Sequence, residues 1–321
     1  MLLLNEQDIM QAITMNDAIQ AIEEAYILYD SKLFHMPLRT QIQDNDNTLL
    51  LMPCIATDST GLKIVNVYPN NQDLPATQGT MILHNRQNGA IKGILNGTLL
   101  TGIRTGAIGG TAIKYLANED SHSVGLIGTG YQGLYQLLAA CAVRDIRHIY
   151  LWNRTQYKIP AFIETLKKQI AKNIEIHIVD ETINLVEHSD IIITSTTSSE
   201  PVLPNIEKIY NGKLIIGIGS YQPQMREFPN SIYNHLDFLY VDTLDAKSES
   251  GDVITPLKHS WITDNQVIPF SKVITNKVKP IISKHQPTVF KSTGMALFDL
   301  VVANRIVETA LRLHIGQNIE L

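Results

Sequence analysis

Val124-Gly125-Leu126-Ile127-Gly128-Thr129-Gly130-Tyr131-Gln132-Gly133 sets three glycines in a G-x-G-x-x-G spacing between an aliphatic run and an amphipathic one. In a strand–turn–helix, Gly128 permits the tight turn, Gly130 lets backbone approach a pyrophosphate, and Gly133 lets the helix lie close to the strand. The open amides at the helix start complete an anion cradle. Taken alone the spacing is weak, and a cofactor-free structural turn competes with it. The flanks decide between them. Aliphatic runs at 124–127, 148–152, 174–179, 190–194 and 214–218 alternate with amphipathic stretches such as 134–143 and 159–171, the pattern of a doubly wound parallel sheet. The stretch 124–143 is uncharged and about long enough to span a bilayer. Its four glycines, two glutamines, Thr129 and two tyrosines fit a buried strand, turn and helix better.

The second strand bears on which dinucleotide is bound. It runs into Leu151-Trp152-Asn153-Arg154-Thr155, about 25 residues beyond Gly128, where an NAD site normally places a carboxylate on the ribose 2′-hydroxyl. No carboxylate stands here to repel a 2′-phosphate, and Arg154 with Thr155 can bind one. NADP(H) is therefore expected over NAD(H). The competing reading of Arg154 is a solvated surface charge.

Before residue 118 the pattern differs. Asn16 is expected to cap a helix whose Ala18, Ile19, Ile22, Ala25, Tyr26 and Tyr29 form one apolar stripe. Short β-rich runs follow at 48–52, 61–68, 80–85 and 90–95. The last two flank Arg86-Gln87-Asn88-Gly89, whose Asn-Gly pair tolerates positive φ and favours a tight hairpin. These runs predict an antiparallel sheet. A helix over 99–116 carries Gly102, Gly106, Gly109 and Gly110, tolerable where its backbone packs closely against something. Near the end, Ser292 or Thr293 is expected to cap a helix reaching residue 313, with Ala296, Leu297, Leu300, Val301 and Val307 on its apolar side.

Across 321 residues, 44 % hydrophobic and 18 % charged is a globular composition, which excludes a mostly disordered, collagenous or coiled-coil chain. At roughly 100–200 residues per domain, the length suits two domains. Lys plus Arg total 26 against 31 Asp plus Glu, a net charge of −5, so nothing draws the chain to nucleic acid or an anionic membrane. Cys54 and Cys141 stand far apart, and the ten histidines show no HxxxH or HExxH pattern. No metal site is expected. The N-terminus lacks the basic and apolar segments of a signal peptide, so a cytoplasmic setting is expected. Three basic residues lie outside the nucleotide-binding stretch: Arg39, Lys63 and Arg104. Lys63 sits among apolar neighbours, where an inward ammonium needs an anionic partner. Spacing alone does not bring the three together.

The segments Gly61-Leu62-Lys63-Ile64-Val65-Asn66-Val67-Tyr68-Pro69-Asn70-Asn71, Leu74-Pro75-Ala76-Thr77-Gln78-Gly79 and Leu99-Leu100-Thr101-Gly102-Ile103-Arg104-Thr105-Gly106-Ala107 carry a further signal. With the glycine turn, the 219–227 segment and Val289-Phe290-Lys291-Ser292-Thr293-Gly294, they resemble the ornithine cyclodeaminase/mu-crystallin family over essentially the whole chain. The resemblance implies an α/β chain. Residues 1–117, completed by 293–321, would form an α+β substrate and dimerisation domain with an antiparallel sheet, and 118–292 a Rossmann domain. It also implies a homodimer. Members include ornithine cyclodeaminases, alanine dehydrogenases, ketimine reductases and Δ1-pyrroline-2-carboxylate reductases. By motif, Arg39, Lys63 and Arg104 match the basic residues that hold the substrate carboxylate. The segment 291–294 is implied to lie near the nicotinamide, and Trp152-Asn153-Arg154-Thr155 resembles mu-crystallin, an NADPH binder. Turn, second strand and resemblance together place cofactor contacts at Thr105, Gly128, Thr129, Gly130, Tyr131, Gln132, Asn153, Arg154, Thr155, Ser195, Thr196 and Ser292.

Two departures narrow the activity. Cyclodeaminases have a Glu where this chain has Leu50, and an Asp where it has Tyr221. Cyclodeamination needs proton transfer at the amine, which an aliphatic side chain cannot provide. The expected function is NAD(P)H-dependent reduction of a small α-imino acid, such as Δ1-pyrroline-2-carboxylate, with Lys63 or Tyr221 managing the proton. Ornithine cyclodeaminase, alanine dehydrogenase and a non-catalytic NADPH-binding protein are the alternatives.

Overall fold

The structure is a computed structural model that describes residues 1–170 and 173–320. Two compact units emerge: Met1–Arg104 with Met295–Leu321, and Thr105–Gly294. Among the described residues, no helix is long and apolar enough to cross a membrane.

The first unit is built on an eight-stranded sheet. Its strands run Gln317–Asn318, Leu2–Leu4, Ile91–Asn96, Thr77–Asn85, Ser59–Val67, Asn47–Ala56 and Phe34–His35, with Thr40–Asp44 also on Asn47–Ala56. The four long strands pair antiparallel, as their hairpin-like spacing predicts. Leu2–Leu4 adds a parallel strand that the sequence reading did not anticipate. Alternation puts Met52, Cys54, Gly61, Lys63, Val65, Met81, Leu83 and Leu95 on one buried face. The helix Ala296–Leu313 packs on the sheet, and the helix Met15–Ser31 packs on that helix, with Tyr26 edge-on to Phe298.

Four local expectations need correction. Thr14, not Asn16, caps Met15–Ser31, because a reciprocal cap needs an acid three residues on and Asp17 supplies it. In the 86–90 loop only Gly89 takes positive φ (+74°), while Asn88 uses its side-chain oxygen to accept from Ala90 N. Met295 precedes the last helix with no side-chain cap, because Ser292 and the Thr293 amide are engaged by Asp242 instead. The helix predicted over 159–171 is observed as Ile159–Lys167, and residue 171 lies outside the described residues.

The second unit holds an all-parallel sheet ordered Glu175–Ile178, His148–Trp152, Ser123–Ile127, Ile191–Thr194, Leu214–Gly217, Thr288–Lys291, Leu239–Val241 and Val267–Pro269. Strand order reverses between Ser123–Ile127 and Ile191–Thr194, the switch point where such sheets open a ligand crevice. Aliphatic side chains bury both faces, including Val124, Leu126, Ile127, Ile191, Ile192, Ile193, Ile215 and Ile216.

The unit boundary at Arg104 and Thr105 falls within the helix Gly97–Leu116, whereas the sequence reading set it after residue 117. Residues 105–117 lie against the helix Tyr131–Val143. A Cβ on Gly106 would stand 2.5 Å from the Tyr135 carbonyl oxygen, and one on Gly109 1.8 Å from Gln136 Oε1. Gly106 and Gly109 are thus explained by close helix packing. Its C-terminal carbonyls are met by Arg144, whose Nη2 donates to Ile113, Lys114 and Ala117 at 3.0–3.2 Å and whose Nε donates to Asn118 at 3.3 Å. Arg144→Ala leaves these half-buried carbonyls without a donor and should destabilise the protein by about 1–3 kcal/mol. A lower denaturant midpoint checks this; an unchanged midpoint would mean that water replaces the guanidinium without cost.

Candidate active site

In the first unit, one carboxylate gathers two buried cations. Lys63, on the strand Ser59–Val67, is 1 % exposed, and its Nζ donates to Asp299 Oδ1 at 2.7 Å. Arg104 donates through Nε to the same oxygen at 3.0 Å. Thr101, one turn before Arg104, lies 3.4 Å from Lys63 Nζ through its hydroxyl. Asp299 Oδ2 is buried and has no hydrogen-bond partner among the described residues. Two cations against one carboxylate leave a surplus positive charge in an apolar setting, which is costly unless an anion joins or a proton leaves. Lys63 reflects this: burial, then the Arg104 charge, lower its pKa from 10.5 to about 7 against the opposing pull of Asp299. Arg39, half-buried before the strand Thr40–Asp44, is close enough to push in the same direction. The structure thus brings Lys63 and Arg104 onto one atom, with Arg39 in electrostatic range. Leu50 faces Val65 and shares its sheet face with Met52 and Lys63.

In the second unit, Gly128 adopts φ +99°, and a Cβ there would stand 2.4 Å from the Ser195 carbonyl oxygen. Gly130 caps the helix Tyr131–Val143 with no side-chain cap, and a Cβ on it would meet nothing within 4 Å. Thr129 Oγ1 and Gln132 Oε1 are shielded there without hydrogen-bond partners among the described residues. An open backbone cradle, free helix amides and the orphaned Thr129 hydroxyl, which can donate, fit the phosphates of a dinucleotide. Thr105 lends its carbonyl to Gln136 Nε2 at 2.7 Å, and Tyr131 packs on Tyr135. Beyond the second strand, Asn153 Nδ2 donates to the Thr155 carbonyl at 3.0 Å, and Arg154 is exposed.

Two further buried acids hold the loops of this unit. Glu227 accepts from Thr196 N (2.7 Å), Thr196 Oγ1 (2.9 Å), Gly219 N (2.8 Å) and Ser220 N (3.2 Å), fastening the loops after Ile191–Thr194 and Leu214–Gly217 together. Burial raises its pKa, and Lys291, 3.8 Å away, opposes that. Asp242 accepts from Ser292 Oγ at 2.6 Å, Thr293 N at 3.0 Å and Gly294 N at 2.7 Å. Ser195 and Thr196 therefore stand beside Gly128, and Ser292 is fixed by Asp242. Tyr221 is half-buried next to Ser220, which hydrogen-bonds to Ser250.

Residues 1–313 match the ornithine cyclodeaminase/mu-crystallin family. The chain belongs to that family. Among its members, a Δ1-pyrroline-2-carboxylate reductase of Bacillus cereus (strain ZK / E33L) is 30 % identical over the full length of both chains. The Thermococcus litoralis Δ1-pyrroline-2-carboxylate reductase, solved with NADH and L-proline, superposes with a TM-score of 0.92 at 32 % identity, covering 99 % of this chain and 100 % of that one. An archaeal alanine dehydrogenase dimer with bound NAD gives 0.91 at 29 % identity, over 100 % of this chain and 99 % of that one.

The sequence reading missed Asp299, Glu227 and Asp242. Asp299 had a signal: it is the one charge in the apolar run Ala296-Leu297-Phe298-Asp299-Leu300-Val301-Val302, where an acid needs a buried partner. Glu227 closes the 219–227 segment, which carried the resemblance without a role for this acid, and Asp242 lies in an irregular segment with no pattern to mark it.

Because the folded chain disfavours the Lys63 ammonium, the unfolded chain holds the extra proton between about pH 7 and 10.5. Stability of the parent protein should therefore rise with pH across that window relative to Lys63→Met. Denaturant midpoints of both proteins at about pH 6.5, 8 and 9.5 check this, and a pH-independent difference would show that Lys63 keeps its proton throughout.

Proposed function

We propose that this protein is an NAD(P)H-dependent oxidoreductase that reduces a small α-imino acid, with Δ1-pyrroline-2-carboxylate as the leading substrate, to the L-amino acid. The observation that carries the reading is the shared Asp299 oxygen, which aligns Lys63 and Arg104 and leaves one buried positive charge to be met. A substrate carboxylate meets it. Arg104 spends Nε on Asp299, and among the described residues no protein acceptor takes its Nη atoms. Those donors suit a planar carboxylate held by two parallel hydrogen bonds. Arg39 adds charge at the same site. The reductases of Bacillus cereus and Thermococcus litoralis support the substrate class.

The cofactor supplies a hydride to the C=N carbon when bound. The protein's own side chains do the rest. Arg104 fixes the carboxylate and hence the position of the neighbouring C=N group, and such positioning accounts for much of an enzyme's acceleration. Asp299 Oδ1 orients both cations. Lys63 Nζ, with its pKa near 7, can hold or release the proton that, once on the imine nitrogen, makes the C=N carbon electrophilic. Tyr221 is the second candidate for that proton. Reduction of a cyclic imine requires no activated water, whereas oxidising alanine to pyruvate does. Leu50 and Tyr221, at the positions where cyclodeaminases carry acids, speak against cyclodeamination.

NADPH oxidation with Δ1-pyrroline-2-carboxylate and with pyruvate plus ammonia, together with release of ammonia and proline from ornithine in the presence of catalytic NAD(P)⁺, tests the reading. Turnover only with the cyclic imine is the expected result; robust ornithine turnover or no turnover at all would overturn it. Arg104→Ala removes hydrogen bonds to a charged group worth roughly 1.5–3 kcal/mol each, so kcat/KM should fall at least about tenfold while NADPH affinity is nearly retained. Normal kcat/KM in that variant would place Arg104 outside the site.

Within the cofactor class, Asn153-Arg154-Thr155 supports NADP(H) over NAD(H). Fluorescence titration should give tighter NADPH binding, and equal or tighter NADH binding would reverse the preference. We further propose a cytoplasmic homodimer formed through the outer face of the first unit's sheet. On that face Pro53, Leu62, Ile82 and Ile94 form a half-buried apolar row across four strands.

A further inference from the structure

We infer that a divalent transition ion of the zinc type binds at the open edge of the second unit's sheet, held by His148 Nδ1, His177 Nε2 and Glu175 Oε2. The parallel register sets Glu175 beside His148 and His177 beside Tyr150. Residues 175 and 177 are two apart on one strand, so their side chains leave the same face of the sheet, where His148 also points. Glu175 Oε2 lies 3.2 Å from His148 Nδ1 and 3.7 Å from His177 Nε2, and all three atoms lie within 4.8 Å of one another. Two ligands bound to zinc at about 2.0–2.1 Å in tetrahedral geometry stand roughly 3.3 Å apart. The two distances bracket that separation.

A second observation points to an electrophile between these atoms. His148 Nδ1 and His177 Nε2 are both shielded from solvent, yet neither has a hydrogen-bond partner among the described residues. Their rings are held in place. Tyr150 stacks on His177 at 4.7 Å and 16°, and His148 stacks on His177 at 5.8 Å and 29°. Glu175 itself is exposed, which leaves an entry path and room for a water as fourth ligand. Two imidazoles and one carboxylate favour zinc, cobalt, nickel or copper over magnesium and calcium. The site lies away from the dinucleotide turn: His148 opens the strand whose last residue, Trp152, accepts from Gly128 N, so four residues or about 13 Å separate them. The ion would clamp the edge strand Glu175–Ile178 to its neighbour and take no part in hydride transfer. Histidine spacing gave no hint of it because the ligands come from two strands.

Chelator-treated full-length protein titrated with zinc chloride by calorimetry should take up one ion per chain with micromolar affinity, and zinc should raise its unfolding temperature. Cobalt(II) in place of zinc should give visible absorption from a low-symmetry site. His148→Asn and His177→Asn should each weaken uptake at least about tenfold, while imine reduction by the ion-free enzyme stays unchanged. Glu175→Gln, an exposed and nearly isosteric change on the edge strand, provides the same test should a histidine variant fold poorly. No stoichiometric uptake by the parent protein, or parent-like uptake by the variants, would overturn the site.

Discussion

The Asp299 carboxylate is the constraint on which the first unit's chemistry depends. Its Oδ1 alone holds Lys63 and Arg104, which arrive from a strand and a helix distant in sequence. Removing that acid would leave two like charges facing each other with almost no water, a far larger penalty than the loss of an exposed ion pair. The sheet's inner face and the last helix must therefore meet in one register, and the apolar packing of Tyr26 on Phe298 and of the helix on the sheet secures it.

The second unit applies the same device twice. Glu227 and Asp242 are buried acids whose oxygens accept from backbone amides and hydroxyls, so irregular loops gain the rigidity of a ladder without strand geometry. Loops at a strand-order reversal have to stay open to ligand and still be fixed in shape. A central acceptor fixes such a loop by consuming the donors that face it.

Much of this was legible from residues alone. The parallel sheet follows from aliphatic runs short enough to be strands and apolar enough to be buried on both faces, and the glycine turn marks the crevice because only a Cβ-free residue fits there. Lys63 announced itself as an ammonium among apolar neighbours that needed an acid. Its acid could not be named, because Asp299 lies 236 residues away and local periodicity carries no information about such a distance. The helix caps went wrong for a related reason. Thr14 competes with Asn16 through a side chain three residues on, and Ser292 is drawn off by Asp242, fifty residues away in sequence. The Tyr221 and Arg39 side chains sit in irregular segments, where sequence constrains position least.

The placement of Leu50 on the Lys63 face has a consequence for how such sites diverge. Exchanging one side chain on that strand leaves the backbone ladder intact but changes the electrical balance of the pocket. With leucine, two cations face one carboxylate, and the pocket complements an anion that brings no additional positive charge, as a cyclic imino acid does. A glutamate at the same position would lower the pocket's positive charge by one and offer a carboxylate to the side-chain ammonium of a diamino acid. A single strand position can thus sort substrates by net charge, independently of their size or shape.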